Sequence, residues 1–324
     1  MTPEDIRKIF LAILCSALSG TALAGSDAWP AEKKIRFVVP FPAGGGADII
    51  ARLIAPALSR ELGQTIYIDN RSGAGGSLGT QAALKEPADG YTLIYVTNGT
   101  LATNLALYPN VGYEPLRDMR PVSRLTHLPL LLVTKHDCAD LKTFLSQAKT
   151  ASPAWTFSSA GNGTTSHLAG VYLSKLTGIG FEHIPYRGGA ASITDVLAAR
   201  IDFTIDVAPN TLAHVKAGAL KSLGISSRQR LDSAPDVAAI ADTVPGYELY
   251  AWDGIAVKSG TDEFIVEKLR KAVEKILADP QMVQALAQRG AQVADNRTQR
   301  FEDFVQSEQQ KWRSLVQEAQ ARRD

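Results

Sequence analysis

Short runs of β-branched and aromatic residues alternate along most of this chain with stretches whose apolar positions recur every three or four residues. The runs at 34–39, 65–69, 91–97, 129–134, 155–159, 180–184, 201–207, 220–225 and 250–257 read as strands. The stretches at 47–62, 76–86, 139–150, 165–177, 189–199 and 210–217 read as helices between them. Such alternation predicts an α/β fold. Past residue 260 the strand signal ends. Phe264, Ile265, Leu269, Val273 and Ile276 fall on one helical face until Asp279-Pro280 stops it. A second helix over 280–289 closes at Gly290, and a third begins near Thr298 with Phe301, Phe304 and Trp312 on one face.

The pattern therefore gives two α/β units and a helical tail. The segment 107–124, rich in proline, glycine and polar residues, is the expected first crossing between units, and Val244-Pro245-Gly246-Tyr247 the return. A chain that crosses twice and packs its last helices back on the first unit makes two lobes joined by a hinge. The cleft between them is the natural ligand site. The first 24 residues stand apart. Arg7 and Lys8 precede an apolar run, Ile9 to Leu18, and Ala22-Leu23-Ala24 supplies a small-residue cleavage pattern. That predicts a signal peptide cut near Ala24 and a periplasmic chain. The run is too short for a stable membrane anchor, and the bulky Leu14 before Cys15 argues against a lipoprotein. The expected lobes are 25–124 plus 246–324, and 125–245.

Charge changes the picture by exclusion. Thirty-four lysines and arginines against 33 aspartates and glutamates leave a net +1, without a basic run for nucleic acid or a membrane surface. After export only Cys138 remains, so no internal disulfide forms, and a monomer is expected. The five histidines show no metal-ligand spacing, and neither a metal nor a cofactor is expected.

Four glycine-rich loops carry the candidate chemistry. The first, Pro40-Phe41-Pro42-Ala43-Gly44-Gly45-Gly46-Ala47-Asp48, joins a strand to a helix start, where outward N–H groups favour an anion. The others are 71–77, 158–165 and 186–190. The first loop lacks both the dinucleotide fingerprint and the lysine of a phosphate loop. A carboxylate suits these loops better, because backbone donors and a hydroxyl satisfy it without a cation. Ser158, Ser159, Thr164, Thr165 and Ser166 supply such hydroxyls at a helix start, or simply cap it. Asp48 reads first as a helix cap and second as a ligand contact. His167, on the first turn behind the third loop, either donates to a ligand or packs. A competing reading is a secreted hydrolase or isomerase using His167 with Ser166 or Cys138, although no G-x-S-x-G elbow is present.

The segment Phe37-Val38-Val39-Pro40-Phe41-Pro42-Ala43-Gly44-Gly45-Gly46-Ala47-Asp48 with Ala51-Arg52 resembles the opening motif of tripartite tricarboxylate transporter substrate-binding proteins, the Bug family. Asn70 to Gly76, Pro87 to Leu93, Ser159 to Leu168 and Ile184 to Gly189 are similar to its later motifs, in order. The resemblance implies a type II periplasmic-binding-protein fold and a receptor holding a small carboxylate between its lobes. It implies a clamp of backbone amides at Phe41, Ala43 and Gly44 on one lobe, and at Ser159, Ala160, Gly163 and Thr164 on the other. Asp206 stands at the family's strand-end acid or amide position, and Thr97 and Asn98 would line the distal end. Membrane transporter subunits or a sensor ectodomain are the implied partners. Ala47, where the family commonly has Thr or Ser, departs from the pattern.

Overall fold

The computed structural model describes residues 29–108, 110–296 and 299–319. The expected signal peptide, 1–24, lies outside the described residues. Strands form where the sequence expects them, each within about two residues at either end, with one exception. In chain order they are β1 (Ile35–Val39), β2 (Ile66–Asn70), β3 (Thr92–Thr97), β4 (Met119–Thr134), β5 (Thr156–Ser159), β6 (Glu182–Pro185), β7 (Phe203–Val207), β8 (Lys221–Ile225), β9 (Tyr250–Lys258) and the short β10 (Gln292–Val293). The helices are α1 (Gly46–Leu62), α2 (Ser77–Leu84), α3 (Asn104–Leu107), α4 (Pro115–Asp118), α5 (Leu141–Thr150), α6 (Thr165–Thr177), α7 (Gly189–Leu197), α8 (Ala208–Lys216), α9 (Glu263–Ala278), α10 (Pro280–Gln288) and α11 (Phe301–Ala319).

The strands run in the order β2-β1-β3-β9-β4-β7-β5-β6, with β8 and β10 also paired to β4. Parallel pairs β1–β2 and β1–β3 mark one half, and parallel pairs β5–β6 and β5–β7 the other. The antiparallel strand β4 belongs to both. Up to Pro129 it pairs with β9, and from Leu130 it pairs with β7 and β8. The segment expected to cross as a loop therefore carries α4 and the first six residues of a 16-residue strand. The alternation was hidden there by register shifts between Pro121 and Ser123 and between Arg124 and Thr126, each of which resets the two-residue period. Arg124, buried in this stretch, is satisfied by the Asp295 carbonyl and Asn296, and its guanidinium lies 4.2 Å from the Phe304 ring centre.

Buried Ser226 ties the two crossings together. Its N–H donates to the Leu130 carbonyl (2.8 Å), and its hydroxyl accepts from Leu130 N–H (2.9 Å) and donates to the Leu249 carbonyl (2.5 Å). Leu249 N–H returns to the Ser226 carbonyl.

Helix α1 shows why these elements pack as they do. Ile50, Ile54, Leu58 and Leu62 recur every four residues and are buried, and Gly63 ends the helix in the left-handed region at φ 67°. Helix α9 packs Ile265, Leu269, Val273 and Ile276 inward and lies against α1 and β4. Helix α11 also returns to this half, where Trp252 and Trp312 both donate their indole N–H to buried Glu308 at 2.8 and 2.7 Å. It reaches α6 in the other half as well.

Candidate functional site

The loop after β1 is held in shape by its own aspartate. Asp48 accepts from Gly44 N–H (2.9 Å), Arg52 Nε (2.8 Å) and Asn70 Nδ2 (3.0 Å). Burial alone would push its carboxyl up, but these bonds outweigh burial and hold it below the ordinary range. Gly44, at φ 80°, is the left-handed residue that lets the chain make this turn. Asp48 thus braces the turn ahead of the helix and makes no cap bond to the helix itself, and the Gly44 amide is already engaged.

The loop after β5 is likewise knotted from within. Ala160 N–H donates to Ser166 Oγ, Gly161 N–H to Ser159 Oγ, Gly163 N–H to His167 Nδ1, and Thr164 N–H to the Gly161 carbonyl. Behind it the His167 ring stacks on His183 at 4.2 Å, and His183 Nε2 lies 2.7 Å from Ser159 Oγ. Burial, with His167 alongside, pushes His183 down to about 3. This serine–histidine pair resembles a nucleophile and base, but Ser159 is fully buried and does not line the cavity described next. Cys138 is buried too, its thiol pushed up by that burial and its Sγ directed at the His136 carbonyl.

Between the two halves lies a cavity of about 80 Å³. Of the residues expected at a ligand, Phe41, Thr97, Asn98, Ala160, Thr164, Thr165 and Asp206 line it. Ala43, Gly44, Asp48, Ser159, Gly163 and His167 stand outside the lining. The physical reason lies in the loops, whose groups are spent on one another: Gly44 on Asp48, Ser159 on Gly161 and His183, and Gly163 on His167. The helix starts themselves point inward. Gly45 to Ala47 open α1, Thr164 to Ser166 open α6, Gly189 opens α7 and Val207 precedes α8, and all line the cavity. First-turn N–H groups have no partner within their own helix, so these starts bring backbone donors to the cavity from both halves, that of Val207 being taken by Asp206.

Its floor comes from strand residues that the sequence reading did not place at the site. Tyr95 on β3, Leu128 on β4, and Ala251, Trp252 and Asp253 on β9 line it. Asp253 is fully buried, accepting from Thr126 N–H (3.0 Å), Thr126 Oγ1 (2.6 Å) and the Tyr95 hydroxyl. Burial pushes its carboxyl up to about 6, against those bonds. Asp206, accepting from Val207 N–H (2.8 Å) and Asn210 Nδ2 (2.7 Å), is likewise pushed to about 6 by burial. A signal was present: a charged residue inside the apolar run Tyr250 to Val257 is rarely buried without a role.

The halves are bonded across the cleft. Asn98 Nδ2 donates to Thr165 Oγ1 (2.6 Å), Thr103 Oγ1 to the Gly163 carbonyl (2.7 Å), and the Tyr108 hydroxyl to the Asn162 carbonyl (2.8 Å). Among the described residues no group of three or more His, Cys, Asp or Glu side chains is placed to hold a metal ion, and no helix is long and apolar enough to cross a membrane.

Two half-sheets joined by crossing strands, with helix starts converging at their junction, define a periplasmic-binding-protein fold. The chain belongs to the tripartite tricarboxylate transporter family receptors, whose family model matches residues 50–321. It is 33% identical over 305 residues to the protein BugT of Bordetella pertussis, covering 93% of both chains. Among solved structures it is similar to a Rhodopseudomonas palustris protein with adipate (TM-score 0.87, 32% identity, 90% of this chain and 98% of that one). It is also similar to MatC of Rhodopseudomonas palustris with bound malate (TM-score 0.82, 30% identity, 88% and 99%). Family and fold are those of solute-binding receptors.

Proposed function

We propose that this protein is a periplasmic receptor that captures a small carboxylate between two hinged lobes and delivers it to the membrane subunits of a tripartite tricarboxylate-type transporter. The observation that carries the reading is the interlobe cavity, on which helix starts from both halves converge and whose lining, among the described residues, holds no basic side chain. The adipate and malate held by its structural relatives support the same ligand class. The lobes are 25–124 plus 246–324, and 125–245, hinged where β4 and the Ser226–Leu249 contact cross. Phe41, Thr97, Asn98, Ala160, Thr164, Thr165 and Asp206 touch the ligand. Asp48, Gly44, Ser159, Gly163 and His167 shape the loops behind them. The mature chain, cut near Ala24, acts as a monomer and binds without transforming its ligand. A sensor ectodomain is the other receiver that a closed, loaded lobe pair fits.

The test is a thermal-shift screen followed by isothermal titration on protein stripped of bound solute by unfolding and refolding. The panel holds mono-, di- and tricarboxylates, amino acids and aromatic acids. A true ligand at a hundred times its Kd should add about 2.7 kcal/mol of stability. Absence of binding by every member refutes the reading.

A further inference from the structure

Two carboxyl groups face one cavity, one from each half, and the lining holds neither lysine, arginine nor histidine among the described residues. The two are not equivalent. Asp206 runs directly into the start of α8 and accepts the Val207 N–H there, so backbone dipoles compensate its charge. Asp253 sits in mid-strand, opposite Thr126 and Thr97, and its backbone donor, Thr126 N–H, comes from a strand. Its three donors, two from Thr126 and one from Tyr95, leave carboxylate acceptor capacity for one more partner. Any ligand group that reaches this floor meets a fully buried acid beneath an aromatic wall of Tyr95 and Trp252.

We infer that this cavity selects a zwitterionic ligand, its carboxylate taken by the helix starts of α1 and α6 and its protonated amine by Asp253. The inference rests on the receptor reading above and narrows its ligand class. A second carboxylate at the floor would lie against a like charge in a water-poor site, whereas an ammonium there gains both the attraction and a charge-assisted hydrogen bond. Tyr95 and Thr126 are positioning residues in this scheme, holding the Asp253 carboxyl in place at the cavity lining. No covalent step is involved.

The experiment is isothermal titration at pH 7.5 of the stripped, refolded protein with matched pairs differing only in one end group: β-alanine with succinate, 4-aminobutyrate with glutarate, and 5-aminopentanoate with adipate. The amino member of at least one pair should bind tenfold tighter or better than its dicarboxylate. Asp253→Asn, which keeps an acceptor for Thr126, should erase that preference. The wild-type comparison stands even if the variant does not fold. Dicarboxylates binding as tightly as, or tighter than, their amino partners overturn the inference and leave the carboxylate receptor standing. A preference that survives in folded Asp253→Asn overturns the role of this residue. Silence from every pair overturns the inference, and silence from the wider carboxylate panel also removes the reading beneath it.

Discussion

Substituting alanine for Gly46 separates lobe closure from lobe stability. Gly46 is the first residue of α1, and a Cβ built on it would stand 2.6 Å from Cγ2 of Val207 on the opposite half. An ordinary carbon contact is about 3.5–4.0 Å, so roughly one ångström must be found by separating the halves. Val207 cannot yield easily, because its β-branched side chain is restricted at χ1. Overpacking of this kind costs about 1–3 kcal/mol, and here the cost falls only on the joined arrangement. Within its own half the change is neutral or favourable, since alanine exceeds glycine in helix propensity by up to about 1 kcal/mol. Gly46→Ala should therefore weaken ligand binding by about 5- to 150-fold while the melting temperature without ligand stays level or rises. Isothermal titration with the tightest carboxylate from the panel reads the first quantity and calorimetry the second. Because Val207 itself lines the cavity, the rescue is judged as a cycle: Gly46→Ala should cost little when introduced into Val207→Ala. Undiminished affinity in the single variant, or an equal loss in both backgrounds, refutes the assignment of this contact to closure.

Ser226→Ala leaves the Leu130 N–H and the Leu249 carbonyl unpaired in the interior and should lower urea stability by about 2–4 kcal/mol; a loss under about 0.5 kcal/mol would show that the crossing strands do not depend on this knot. The pH dependence of Asp253 has a definite sign. Its folded value, about 6, exceeds the unfolded one near 3.9, so the folded state holds more protons between them and stability falls as pH rises through that window. The cost is fully present above about pH 6 and worth about 3 kcal/mol. Asp253→Asn should accordingly gain in melting temperature over the parent at pH 7.5 and lose most of that gain at pH 4; an advantage that does not grow with pH contradicts the burial argument.

The parts of this molecule readable from sequence were those with local causes. Strand and helix positions followed from periodicity, and the glycine loops from their composition, because each depends on neighbours a few residues away. The part of strand β4 before Pro129 escaped because two register shifts scrambled its period, and its burial of Arg124 depends on Asn296 and Phe304, more than 170 residues onward. The site divided along the same line. Residues such as Phe41 and Thr165, carried at loop ends, were legible. The floor was not, since Tyr95, Thr126 and Asp253 meet only once β3, β9 and β4 lie side by side. The loop amides of Gly44, Ala160 and Gly163 showed the opposite effect: the pattern marked them as donors, and the folded loops spend those donors on Asp48, Ser166 and His167.

The Glu308 clasp gives the order of synthesis a meaning for this receptor. Trp252 forms part of the cavity wall, and its indole is anchored from behind by a carboxylate carried on the last helix of the chain. A chain emerging from its amino end presents both halves of the sheet before that anchor exists. The wall of the pocket therefore acquires this support only when the helix Phe301–Ala319 docks behind it.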